Sequence, residues 1–474
     1  MTGIWSTTFN CYQTTGCCPF ATFLRPPLPS WYPQCTMTPE HKNDGIVAEL
    51  RTVVIPNVTV KELLGVIPSH CFERSTTKSF LYLIWNIFII SCIYKTTILL
   101  DSEVVYPVAS DLNYPYTYRF IQFALWSIYG FWAGLFMTGL WIIAHECGHY
   151  AFSQSKVISD SVGWILHSAV GSPFDHSKGD ILGSYVAKET MSDLWEAMGD
   201  SPISTLLRGT GVLLFAWPLY LILNLGGQSR YPKWTNHFNP SAAIFKPHQF
   251  WQIIWSNVGI ALWAAGLIIW ASKCGAWEVL SVYGVPYLWT NHWIVLLTYL
   301  QHTDPLLPHC RGPEFTFTRG ALATFDRSFL GDCGKIMAWI GAHATHGICE
   351  NHALHHVSSK IPHYNAWEAS AALKKFLRSH GIRSDGPPVD WAEGLRVLMQ
   401  CKFVEDVGGI VFFKNSQCLA HAKPVFDNIG MNGNVAEFPE EGGPYAFHFG
   451  KHFLGTLVFV SFGVYGIMLS VLAM

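Results

Sequence analysis

The amino-acid sequence predicts an all-α, multi-spanning integral membrane protein with a helical cap outside the bilayer, and three observations predict it. Only 13% of the 474 residues are charged, about half the density of soluble domains, while 50% are hydrophobic. Aromatic residues abound, with 20 Trp, 31 Phe and 19 Tyr. Long uncharged apolar stretches recur along the chain, separated by polar segments rich in His. This composition excludes a disordered, collagenous or disulfide-scaffold protein. Thirty basic against 32 acidic residues leave a net charge of -2, so no polycationic surface exists for nucleic acid. The 13 Cys are scattered without zinc-type spacing, which predicts free thiols.

The elements follow in order. Residues 1–50 lack the basic start and continuous apolar core of a secretory signal and are rich in Pro, Cys and Thr, as expected of a poorly ordered cytosolic arm. The core, residues 51–400, begins with an amphipathic helix from Val60 that Pro68 ends. Ser79 to Leu100 can make one span, with Lys95 snorkelling at its end, and Phe120 to Ala144 a second. Three further apolar stretches follow, at Gly209–Ser229, Pro247–Ser272 and Val279–Thr303. If the His-rich segments after Ala144 and after Thr303 face one compartment, an even number of crossings must separate them. Gly209–Ser229, which carries Pro218, is the weakest of the three and is expected in the interface, leaving four core spans. Residues 401–448 read as a soluble appendage, and 449–474 as a C-terminal apolar segment able to make an extra span.

The chemistry is carried by histidines, of which there are 21. His145-Glu146-Cys147-Gly148-His149 stands at the end of the second span, and residues four apart share a helix face, so both imidazoles can reach one metal. The same run satisfies the zinc-protease pattern His-Glu-x-x-His, with Glu146 in the place of its general base. His352-Ala353-Leu354-His355-His356 gathers three imidazoles within five residues, with His346 rather more than one turn upstream. Such a cluster points to more than one metal, whereas a zinc protease needs only one ion. His302, at the end of another span, could complete the set. His309 and His363 follow prolines in expected loops and are assigned structural roles.

Three segments taken together resemble the membrane-bound fatty acid desaturases, in particular their fungal delta-12 (oleate) branch: His145 to Ser153, Thr298 to Asp326, and His352 to Ala369. The similarity runs from about Val60 to Pro424 and includes Ile67-Pro68-Ser69-His70-Cys71-Phe72-Glu73-Arg74. It implies three histidine boxes holding two irons in a cytosolic helical cap at the endoplasmic reticulum membrane. It further implies O2 as co-substrate, electrons from cytochrome b5 and its reductase, and an acyl lipid or acyl-CoA substrate. Carried over residue by residue, the implied metal ligands are His145, His149, His176, His302, His352, His355 and His356. The second box departs from the family's His-x-x-His-His form: after Gly163-Trp164-Ile165-Leu166-His167-Ser168 the chain reads His176-Ser177-Lys178-Gly179-Asp180. Gly179 and Asp180 thus stand where two imidazoles are expected, and a Gly side chain cannot ligate. Glu146, Glu350 and Asp326 are candidates to orient the ligand rings. An unactivated methylene has neither an acidic proton nor a polarised bond, so an oxygen-activating iron centre suits it and hydrolytic chemistry does not. Alongside a cis desaturase stand an acetylenase, conjugase, hydroxylase or epoxygenase of the same superfamily, a silent homologue, and the zinc protease.

Overall fold

In the computed structural model, residues 50–107, 117–173, 202–224, 231–232, 234–405 and 407–426 are described. The expected arm, the segment from 427 onward and the incomplete box around His176 lie outside them.

Strand β1 (Arg51–Ile55) leads into helix α1 (Val60–Gly65). Thr59 starts that helix through a reciprocal cap: its hydroxyl accepts from the Glu62 amide at 3.2 Å, and Glu62 Oε2 accepts from the Thr59 amide at 2.7 Å. Helix α2 (Thr76–Leu100) follows and continues through a π turn, Asp101–Val105. Leu81, Ile84, Trp85 and Phe88 on it are exposed, as expected of side chains that face lipid. Helix α3 (Thr117–Gly148) returns against α2. Far from the His end, Asp101 ties the hairpin by accepting from Gln122 Nε2 at 2.9 Å and Trp126 Nε1 at 3.0 Å.

Helix α4 (Lys156–Ala169) is amphipathic, exposing Val157 and Ile165 while burying His167 and Ser168. Helix α5 (Pro202–Leu223) contains Pro218. Expected as an interfacial element, it packs against the later helix Val285–His302 and contributes Val212 and Ala216 to the main core, while Phe215 and Ile222 stay exposed. Helix α6 (Phe250–Cys274) is again lipid-like, with Trp255, Leu262 and Ile268 exposed, and Trp164 of α4 donates to its Trp255 carbonyl at 2.7 Å.

Ala276–Val279, a π turn at Leu280–Gly284 and helix α7 (Val285–His302) run on without a break. By length and composition, three described helices can cross a membrane: Thr76–Val105, Tyr118–Gly148 and Pro247–Cys274. The stretch expected as a further span, Val279–Thr303, is helical but enclosed by protein, with Trp289, Thr290, Asn291, His292 and Trp293 all buried. Close approach of α3 explains the enclosure. A Cβ at Gly134 would lie 2.7 Å from the Pro286 carbonyl oxygen, and one at Gly130 would lie 2.4 Å from Val285 Cγ1. Small residues four apart let the two backbones meet.

Beyond α7 the cap comprises α8 (Phe317–Ala321), α9 (Lys335–Ala344), α10 (His352–Val357), α11 (His363–Ser379) and α12 (Trp391–Gln400). Its interior holds an ionic network. Arg327, fully buried, donates to Asp304 Oδ2 and to Glu393 Oε1, each at 2.8 Å, and Arg396 donates to the same two carboxylates. Short strands close the cap: β2 (His309–Cys310) pairs antiparallel with β3 (Ile410–Val411), and β1 pairs parallel with β4 (Ala422–Phe426). Residues 401–426, expected as part of an appendage, are therefore stitched to the core, and Phe412 and Phe413 are buried in it. Eight described cysteines are free, whereas Cys418 departs from expectation by being disulfide-bonded.

Candidate metal centre

Helix α3 delivers His145 and His149 one turn apart and then stops. Tyr150 takes a left-handed conformation (φ 58°), and the Ala151 amide folds back to the Glu146 carbonyl at 3.0 Å. Helix α7 ends on His302, and Thr303 leaves in extended conformation. The third supplier is α10, only six residues long, which carries His352, His355 and His356.

These six imidazoles form two triads. His145 Nε2 lies 3.0 Å from both His149 Nε2 and His355 Nε2. His352 Nε2 lies 3.0 Å from both His302 Nε2 and His356 Nε2. Within each triad the ligand atoms lie within 4.8 Å of one another. A single Nε2 carries one proton or one lone pair, so it cannot satisfy two facing nitrogens. Two nitrogens bound at right angles to a metal at about 2.1 Å would be about 3.0 Å apart, which is the spacing found. The donor chemistry therefore fits a cation at each triad. The spacing of i, i+3 and i+4 on α10 divides its imidazoles between the two sites, His355 to one and His352 with His356 to the other. The ring centroids of His352 and His355 are 6.0 Å apart, so the triads are neighbours. Burial, reinforced by neighbouring imidazoles, pushes His352, His355 and His356 well below the ordinary histidine range, keeping them neutral as ligands must be.

The three carboxylates each hold a segment. Glu146 accepts from the His363 amide at 2.7 Å and faces His363 Nδ1 at 2.8 Å, which fastens the end of α3 to the start of α11. Asp326 Oδ1 accepts from the Ala353 amide at 2.7 Å inside α10, and Lys374 stands 3.1 Å from its other oxygen. Burial raises Asp326 to about 6 despite Lys374. Glu350 accepts from the Phe329 amide at 2.9 Å and is pushed up to about 7 by burial.

Of the predicted ligands, His145, His149, His302, His352, His355 and His356 are brought together, and His176 falls outside the described residues. His346 stands apart from the triads, its Nε2 3.2 Å from Asn86 Nδ2 and its ring 4.5 Å from that of His363. His363 is buried, while His309 packs edge-on against Phe413. Sequence reasoning passed over Asn86 and Lys374. An amide in the middle of the apolar run Leu81–Ser91 was the available signal for the first. Lys374 had none, because its partner lies on a distant segment.

A bundle of apolar helices capped by paired imidazole triads defines a membrane protein with a candidate two-metal centre. The sequence profile of the fatty acid desaturase family matches residues 123–386. An oleate hydroxylase of Claviceps purpurea is 37% identical over 421 residues, covering 78% of this chain and 83% of the relative. A delta(12) fatty acid desaturase of Mortierella alpina is 36% identical over 394 residues, covering 77% and 92%. An omega-6 fatty acid desaturase of the endoplasmic reticulum of Brassica juncea is 35% identical over 364 residues, covering 74% and 88%. The chain belongs to the fatty acid desaturase family. It is thus a membrane oxidoreductase, its family implies an acyl-lipid substrate and a di-iron histidine cluster, and the protease reading of His145 to His149 is set aside.

Proposed function

We propose that the chain introduces a cis double bond at carbon 12 of oleoyl chains, with two irons held by the triads His145, His149, His355 and His302, His352, His356. His176 is the expected further ligand. The observation that carries this reading is the pair of triads sharing α10, inside a chain whose relatives are named for delta-12 and oleate chemistry. When bound, a di-iron centre supplies the activation of O2 needed to take hydrogen from an unactivated methylene. The protein's own residues do the rest. Neutral imidazoles offer their Nε2 lone pairs, and His352 and His356 are buried while the other four are partly exposed. Glu146 and Asp326 fix the helices from which the imidazoles project. Removal of two hydrogens while O2 is reduced to two waters needs two electrons and two protons from outside. Cytochrome b5 with its reductase is the proposed electron source. The proposed location is the endoplasmic reticulum membrane, which the name of the Brassica relative supports, and the proposed orientation has the cap facing the cytosol.

The Claviceps relative favours one second reading, hydroxylation at carbon 12. Expression in a host that makes oleate but not linoleate, followed by gas chromatography with mass spectrometry, tests both. A new diene supports desaturation, and a hydroxy acid moves the function to hydroxylation. An unchanged profile with the protein present in the membrane overturns both.

A further inference from the structure

Away from the triads, the 3-10 turn Ser69–Phe72 packs against α11, and three donors of different chemistry converge there. His70 Nε2 lies 3.0 Å from Glu368 Oε1 and 3.7 Å from Cys71 Sγ, and all three donor atoms lie within 4.8 Å of one another. Cys71 is fully buried within the cluster of Leu63, Ile67 and Leu373, while His70 and Glu368 reach solvent. An exposed His–Glu pair contributes little by itself. The thiol of the next residue, Cys71, faces the same imidazole nitrogen.

A tetrahedral zinc ion, with Zn–S of about 2.3 Å and Zn–N of about 2.0–2.1 Å, separates sulfur from nitrogen by about 3.6 Å. The observed 3.7 Å agrees. The nitrogen–oxygen distance is a few tenths of an ångström short of the tetrahedral value, a difference that the exposed Glu368 side chain can take up by rotation. Thiolate plus carboxylate would neutralise a divalent cation, and sulfur, nitrogen and oxygen are all established zinc donors. The backbone is prepared as well. Asn365 of α11 donates from Nδ2 to the Cys71 carbonyl at 3.2 Å and to the Glu73 carbonyl at 3.1 Å, holding the turn in place.

We propose that His70, Cys71 and Glu368 form a zinc(II) site, distinct from the imidazole triads, that clips the turn at residues 69–72 to α11. The fourth position opens to water. The same helix carries His363, against Glu146, and Lys374, against Asp326, and neither contact passes through the proposed clip.

The test uses the full chain purified in detergent and offered zinc(II) alone, with metal content measured by mass spectrometry and the ligands by X-ray absorption at the zinc edge. One zinc per chain is expected, with one sulfur neighbour near 2.3 Å and lighter neighbours near 2.0–2.1 Å, both about the standard values. Cys71→Ser and Glu368→Gln should each weaken zinc binding by about tenfold or more and leave iron content unchanged. Because Glu368 reaches solvent, its variant remains informative even where Cys71→Ser folds poorly. Zinc bound by nitrogen alone would place it in the triads and overturn the proposal. So would undiminished zinc–sulfur binding in the variants, or no zinc uptake at all. The sulfur signal does not depend on iron, so failure of the di-iron reading would leave this test intact.

Discussion

The two triads are alike in donors and unlike in support. The first draws two of its three imidazoles from the end of a long apolar helix and is fastened by one clamp, Glu146 on His363. The second draws one from α7 and two from α10, and the loop just beyond His302 is anchored by the buried network of Asp304, Arg327, Glu393 and Arg396. A helix that packs well along its length can present its last turn with little help. A six-residue helix cannot hold itself, since isolated helices this short are unstable, and so α10 depends on Asp326 and on the packing around it. The cap therefore spends its buried charges where regular structure is shortest.

That comparison can be broken most forcefully at Arg327. Arg327→Ala leaves Asp304 and Glu393 buried without their shared cation, and the expected loss is about 3–5 kcal/mol, read as a large fall in the thermal unfolding temperature in detergent. Asp326→Asn should come next. It weakens the hold on α10, which feeds both triads, so affinity at both sites should fall by about 10–100-fold and iron content should drop at both together. Glu146→Gln sharpens the contrast, because it loosens the junction of α3 with α11 and leaves the Asp326 hold on α10 in place. Iron should then be lost from the first triad and kept at the second, so Mössbauer spectra should lose the signature of a paired centre while about one iron per chain remains. The smallest effect concerns pH. Asp390 accepts from the Glu393 amide at the start of α12, and burial together with the neighbouring Asp332 carboxyl raises it to about 7. A carboxyl raised on folding contributes stability that is full below its unfolded value near 4 and is lost as pH rises through about 7. Asp390→Asn keeps the helix cap but should flatten that part of the stability–pH curve, measured by denaturation at pH 5 and pH 8.

The triad imidazoles were legible as candidate ligands because they obey local rules. His145 with His149, and His352 with His355 and His356, are paired by helical spacing that any reader of the chain can count. The hairpin of α2 and α3 was legible for a similar reason, since uncharged length is a local property. Glu146 was legible as one of three carboxylates able to support the site, but its partner was not: only a contact across 217 positions shows that it holds His363. The burial of α7 was hidden because apolar residues look the same whether lipid or protein covers them. Only the narrow backbones at Gly130 and Gly134 reveal which. The joining of residues 401–426 to the core was hidden too, because a two-residue strand such as Ile410–Val411 leaves no periodicity to read.

The parallel pairing of Arg51–Ile55 with Ala422–Phe426 has a consequence in time as well as in space. The first of these strands leaves the ribosome before any of the membrane helices and the second after all of the described ones, so the seam can form only near the end of translation. Until then the histidine segments have been made and the first strand waits for its partner. A chain that ends before residue 422 would keep all six triad histidines and lose this seam.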